Sequence, residues 1–220
     1  LELKKDLLRI EATRRPHVNP YFIKQGIVAY YPFNDNAKDE SGNGNDGKVN
    51  GVTFTRDRNG NNQRAALFSG QRPHILVMNP DGRLNLQQFT LSAWVATDKN
   101  SDHMPVIYKL ARGSSNEENY KLALVGENAA VSVEQNDGKD HTAKTPFPSG
   151  QGFVHLAGTY DGQSLKLYMN GELKATTAVG GRALHLGKDI ELLIGDCSNR
   201  DKGKASFSGA IDDVRIFNRA

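Results

Sequence analysis

Val154-His155-Leu156-Ala157-Gly158-Thr159-Tyr160, then Asp161-Gly162, Ser164–Met169, Asn170-Gly171 and Glu172–Ala178, is the run that decides the fold. Val154, Leu156, Gly158 and Tyr160 alternate with His155, Ala157 and Thr159, the period of two of a half-buried strand. Asp-Gly and Asn-Gly between such runs are strong hairpin signals, because a two-residue type I′ loop needs positive φ at both central residues. Residues 153–178 are therefore expected as a three-stranded antiparallel meander with two-residue turns at 161–162 and 170–171.

Working outward, Phe89, Leu91, Ala93 and Val95 alternate with Thr90, Ser92, Trp94 and Ala96 in the same way. Further strands are expected at 65–69, 74–78, 105–110, 119–125, 129–134, 189–195 and 207–217. Short strands repeating every roughly 8–15 residues between turn residues mark a sandwich or barrel. The helical period occurs at the start only: Leu3, Leu7 and Ile10 fall at i, i+4 and i+7, and Pro16 and Pro20 close the run. The expectation is an all-β antiparallel domain over 26–220, preceded by a helix and linker over 1–25.

Composition excludes several classes. The chain of 220 residues carries a net charge of +3, and the six Lys/Arg against three Asp/Glu in residues 1–25 account for all of it. Of 28 basic and 25 acidic residues, 22 of each remain in the other 195 positions. A neutral body is a poor footprint for a polyanion, so nucleic acid is not an expected partner. No apolar run approaches the ~18 residues of a membrane helix. One cysteine, Cys197, can form neither an internal disulfide nor a thiolate zinc cluster. The chain opens on Leu1 rather than Met, and a longer parent protein is expected.

Tyr30-Tyr31-Pro32-Phe33 runs into Asn34-Asp35-Asn36-Ala37-Lys38-Asp39-Glu40-Ser41-Gly42-Asn43-Gly44-Asn45-Asp46-Gly47, a loop dense in oxygens and glycines. Such a loop can close as an Asx-rich turn, and its oxygens can also hold a hard cation. Asp39-x-Ser41-x-Asn43 imitates half of an EF-hand, but Asn50 stands where the bidentate Glu is needed.

This opening, with Ala66-Leu67-Phe68-Ser69-Gly70, Phe89–Val95, Leu156–Gly162, Leu167–Gly171 and Phe207–Arg219, resembles the LamG-like jelly-roll domains of the concanavalin A-like lectin/glucanase superfamily. The resemblance implies two stacked antiparallel sheets with the first and last strands adjacent. It also implies a structural calcium where those strands meet, with Asp212 as carboxylate ligand aided by Asp35, Asp39 and Asn45. The bland alternative is that Asp39 and the asparagines cap a turn while Asp213 pairs with Arg215 or Arg219.

Catalysis is not expected. The glucanases of this fold carry Glu-x-Asp-x-x-Glu on one strand, and the string does not occur here. The histidines 17, 74, 103, 141, 155 and 185 lack ligand spacing. Sugar binding needs exposed aromatics. Tyr30, Tyr31, Phe33, Phe68, Phe89, Trp94, Tyr160, Tyr168, Phe207 and Phe217 fall in the family-like motifs and are expected in the core. Tyr108, Tyr120 and Phe147 are the leftovers and the expected ligand-binding rings, near polar loops at 98–105, 112–119 and 135–149. The functional expectation is non-catalytic binding of a glycan or protein by one module of a multidomain secreted or cell-surface protein, with a ligandless adhesion spacer as the alternative and a divergent glycoside hydrolase as the minor one.

Overall fold

The fold is described from a computed structural model over residues 25–69, 72–99, 101–110, 118–135, 138–181, 183, 190–197 and 206–220. The expected N-terminal helix and nearly all of its linker lie outside these residues, as does most of loop 112–119.

Alternating apolar residues build two antiparallel sheets. In the first, β13 (Glu172–Ala178), β12 (Ser164–Met169), β11 (Val154–Tyr160), β6 (Phe89–Ala96) and β15 (Gly209–Phe217) lie side by side. The far edge of β15 is shared end to end by β4 (Ala65–Phe68) and β1 (Ile27–Tyr31). β4 takes Gly209 to Ile211, and β1 takes Val214 to Phe217. β3 (Thr53–Thr55) closes the edge beyond β4. The second sheet runs β10 (Asp140–Pro146), β9 (Asn128–Glu134), β8 (Glu118–Gly126), β7 (Ser101–Leu110), β14 (Leu192–Ile194), β5 (His74–Val77) and β2 (Gly47–Asn50). First and last strands are adjacent, as the resemblance implies.

The core lies between the sheets. Phe89, Leu91, Ala93 and Val95 of β6 and Leu156 and Tyr160 of β11 face Leu122, Val131 and Val133 of the other sheet, all fully buried. Each large apolar side chain so buried contributes about 1.5–3 kcal/mol. At Gly158 the missing side chain lets β11 pack on β9: a Cβ there would run into the Val131 side chain.

The meander is present, and one of its turns is as expected. Met169 pairs with Glu172 across Asn170 (φ 50°) and Gly171 (φ 83°), the type I′ requirement. At the other end Tyr160 pairs with Leu165. Four residues therefore lie between them, and only Gly162 has positive φ there. The Asp161 carboxylate accepts the Gln163 and Ser164 N–H groups at 2.8 and 2.7 Å, which widens the turn. β10 occupies what reads as loop 135–149. Its only buried residue is Ala143, so its pairing rests on backbone bonds that hydrophobic periodicity does not register.

Candidate functional site

At Asp212 and Asp213 the edge of β15 passes from β4 to β1, and the register with β6 slips between Asp212 and Arg215. Asp213 takes φ +56°, a left-handed conformation rare outside glycine. In a regular strand consecutive side chains point to opposite faces. The bulge instead turns both carboxylates to the outer face of the first sheet, where a bulge commonly re-aims side chains.

Arg58, from the β3–β4 loop, bridges the pair. Its Nη1 lies 2.5 Å from Asp212 Oδ2 and its Nη2 2.7 Å from Asp213 Oδ2. Arg215 Nη2 sits 2.9 Å from Asp213 Oδ1, and the Tyr30 hydroxyl donates to the same oxygen at 2.8 Å. The guanidinium of Arg58 also lies over the Trp94 ring, 4.9 Å from its centroid, and that of Arg215 over Tyr30 at 4.5 Å. Trp94 leans on His155 with centroids 5.1 Å apart.

Burial, with the Asp213 charge adding to it and Arg58 opposing, pushes the Asp212 carboxyl up to about 6. Burial and the bond to Asp213 push the Tyr30 phenol up to about 12. Burial and then the Arg215 charge hold His155 below its ordinary value, which keeps the ring neutral at pH 7. The cluster offers two arginine-bound carboxylates, a neutral imidazole and two half-exposed aromatic rings. It offers no pair of free carboxylates flanking a gap, the arrangement that glycoside hydrolysis uses.

Tyr31, Phe33, Phe68, Phe89, Tyr160 and Phe207 are buried as expected, and the other aromatic expectations are corrected. Tyr120 is fully buried, its hydroxyl donates to the Leu84 carbonyl at 2.9 Å, and its ring lies 5.2 Å from Phe89. Tyr108 is 4% exposed and packs on Cys197, and Phe147 belongs to the core. None of the three presents an open ring face. Trp94, Tyr30, Tyr168 and Phe217, expected inside, stand half-exposed on the outer face. The signal for Trp94 was its own alternation with Leu91, Ala93 and Val95. Aromatic content alone reads as core, but strand parity decides the side.

The expected calcium ligands do not fit a single cation. Asp39 Oδ1 accepts the N–H groups of Tyr30 and Ser41, and its Oδ2 that of Asn45, each at 2.9 Å. The Asn45 side chain donates to the Val28 carbonyl at 2.9 Å, and Asp35 meets the Gln63 amide at 3.3 Å. Asp212 faces Arg58 instead. Asp39 and Asn45 are thus brought together as a turn, while Asp35 and Asp212 are each held elsewhere. Asp39→Ala is expected to cost about 2 kcal/mol, since three N–H donors lose their acceptor. A urea midpoint matching the wild type would show that water replaces the carboxylate without loss.

At the β3 edge lies an open cleft of about 480 Å³, lined by Phe54, Thr55, Arg56, Asn62 and Gln63. The sequence carries no motif for it.

A family model for the concanavalin A-like lectin/glucanases superfamily matches residues 69–220. No curated protein matches the sequence significantly. Among solved structures, the binding domain of Paraclostridial Mosquitocidal Protein 1 is similar with a TM-score of 0.69 at 19% identity, over 90% of this chain and 50% of that one. The binding domain of Botulinum neurotoxin DC, solved with rat synaptotagmin II, gives 0.67 at 14% identity, over 90% and 49%. The same domain solved with SialylT gives 0.64 at 13%, over 89% and 48%. At these identities the likeness is one of fold, and the chain spans about half the length of the structures it matches. With a family match over most of its length and the two-sheet fold to go with it, the chain belongs to the concanavalin A-like lectin/glucanase superfamily.

Proposed function

We propose that this chain is a non-catalytic binding module for a glycan or protein ligand, carried by a larger secreted or cell-surface protein. The observation that carries the reading is the commitment of Asp212 and Asp213 to Arg58 at 2.5 and 2.7 Å. A loop pinned to a sheet by two ion pairs is a rigid platform. Rigidity favours binding because less ordering entropy is lost on contact. The binding domains of similar fold, one solved with synaptotagmin II and one with SialylT, support the same reading.

A glycan array together with a pull-down from an extracellular extract tests it. A specific sugar or a saturable partner is the expected result. Silence in both would leave an adhesion spacer, and release of reducing sugar above an Asp212→Asn, Asp213→Asn control would make the chain a hydrolase. Calcium enters this reading as no part of the site. Added calcium is expected to leave Tm unchanged, because Arg58 and backbone N–H groups already hold the oxygens. A concentration-dependent rise that Asp39→Ala removes would put the cation there.

A further inference from the structure

Arg56 is set apart from the arginines around it. Arg58 is bound to Asp212 and Asp213, Arg64 donates to Asn34 Oδ1 at 2.5 Å, Arg72 reaches Asp196 at 3.3 Å, and Arg215 holds Asp213. Arg56 uses its Nε alone, donating to Asn62 Oδ1 at 3.0 Å, and has no carboxylate partner among the described residues. That bond takes one of the five guanidinium N–H groups, and Nη1 and Nη2 make no hydrogen bond or ion pair with a described residue. Asp57, next in sequence, makes no ion pair with Arg56. Its carboxylate accepts the N–H groups of Asn59 and Asn61, each at 2.8 Å, and the Asn61 amide at 3.0 Å. The acidic neighbour turns its oxygens to the loop backbone and not to the Arg56 guanidinium.

The cleft around Arg56 has the makings of a ligand site. Its volume of about 480 Å³ lies within the roughly 300–1,000 Å³ usual for small-ligand clefts. Phe54, half-buried and packed against the core, supplies a fixed apolar wall. Arg56 is the sole charged residue of the lining, and the Asn62 and Gln63 amides and the Thr55 hydroxyl add polar groups. The loop is immobilised from several sides. Arg58 ties it to β15, Arg64 N donates to the Thr55 carbonyl at 2.9 Å, and Asp35 N donates to the Gln63 carbonyl at 2.8 Å. Gln63 itself is held at φ +57°, and such backbone strain concentrates at ligand clamps.

We infer that this cleft binds an anionic saccharide unit, the acidic substituent forked on the Arg56 guanidinium and the apolar face of the ring against Phe54. The inference rests on the binding-module reading and names its ligand class. Planar guanidinium suits a two-oxygen anion bidentately, and a pyranose ring carries both an apolar face and hydroxyls for the amide rim. The shared chemistry is an oxyanion on a sugar, and a carboxylate and a sulfate ester are its two sources.

Affinity electrophoresis of the full chain through gels holding polygalacturonate, dextran sulfate or neutral dextran tests this. Retardation by at least one anionic polymer and not by neutral dextran is expected, and which gel retards identifies the carboxylate or the sulfate. Arg56→Ala should weaken it about tenfold or more, the worth of a charge-assisted bond, with Tm unchanged because Arg56 is exposed. Phe54→Ser tests the apolar wall, and Arg83→Ala, whose partner is Asp81, controls for unspecific charge. Equal retardation of wild type and Arg56→Ala, or loss of the same size in Arg83→Ala, overturns the inference. So does binding to neutral sugars or to a protein partner that ignores Arg56, although the binding-module reading would then stand. Silence on every gel, in the array and in the pull-down would remove both.

Discussion

Arg58→Met is expected to lower stability by about 2–3 kcal/mol at pH 8, a fall in Tm of roughly 5–10 °C for a domain of this size. Breaking a buried ion pair from one side costs about 3–5 kcal/mol, because the partner is left uncompensated. The figure is reduced here because the Arg58 side chain is 28% exposed and Arg215 and Tyr30 still serve Asp213. The effect should depend on pH in a definite direction. The Asp212 carboxyl is raised from 3.8 to about 6 in the folded protein, so folding favours its protonated form. Its contribution to stability is therefore fully present below about pH 4 and lost as pH rises through about 6. Arg58 limits that loss by stabilising the carboxylate, and without it the folded-state value moves further up. The gap between wild type and variant should open as pH rises through about 6 and narrow below it. Urea midpoints at pH 5 and pH 8 read this out. A gap of equal size at both would mean that Arg58 acts through its packing on Trp94 alone.

Gly195→Ala should be more severe, costing about 3–5 kcal/mol and perturbing the packing of the two sheets. Gly195 follows β14 with φ +84°, which an L side chain adopts at a cost of about 1–2 kcal/mol. Its missing Cβ also makes room for another residue: an added methyl would land on the ring of Phe68. Phe68 cannot yield, being fully buried and set edge-on to Phe207 with centroids 5.9 Å apart. Overpacking of that kind adds about 1–3 kcal/mol. Gly60→Ala provides the comparison. It has the same φ of +84° with nothing within 4 Å of the new methyl, so it should cost about 1 kcal/mol. The difference between the two variants in denaturant midpoint isolates the packing cost. Equal losses would show that the Phe68 ring moves aside freely.

Much of the fold was legible because its causes are local. The 153–178 meander follows from parity and from the Asn170-Gly171 turn, which needs no distant residue. The Asp161-Gly162 turn misled, since an Asp that caps two N–H groups opens a four-residue loop that a dipeptide signal reads as two. β10 was missed because a strand with one buried residue is set by its neighbour, not by its own pattern. The site was legible in half. Asp212, Asp213 and the Asp39 loop were marked by their oxygens, and the pairing of Asp213 with Arg215 was among the alternatives. Arg58 was not, and neither was the cleft at Arg56, because nothing in the spacing of the β3–β4 loop points to strand β15.

By itself the sequence determined an antiparallel two-sheet sandwich, since alternation and turn chemistry act between near neighbours along the chain. The tertiary structure alone decided the direction of Asp213 and the partner of Asp212. β15 loses one neighbour and gains another at that point, and the resulting bulge turns two consecutive carboxylates to one face. Their counter-charge then comes from 154 and 155 residues away in sequence. Charge pairing over that separation depends on which loops the folded sheets bring together, and no local pattern encodes it. The same loop, once tied down by Arg58, is what leaves Arg56 facing an open cleft.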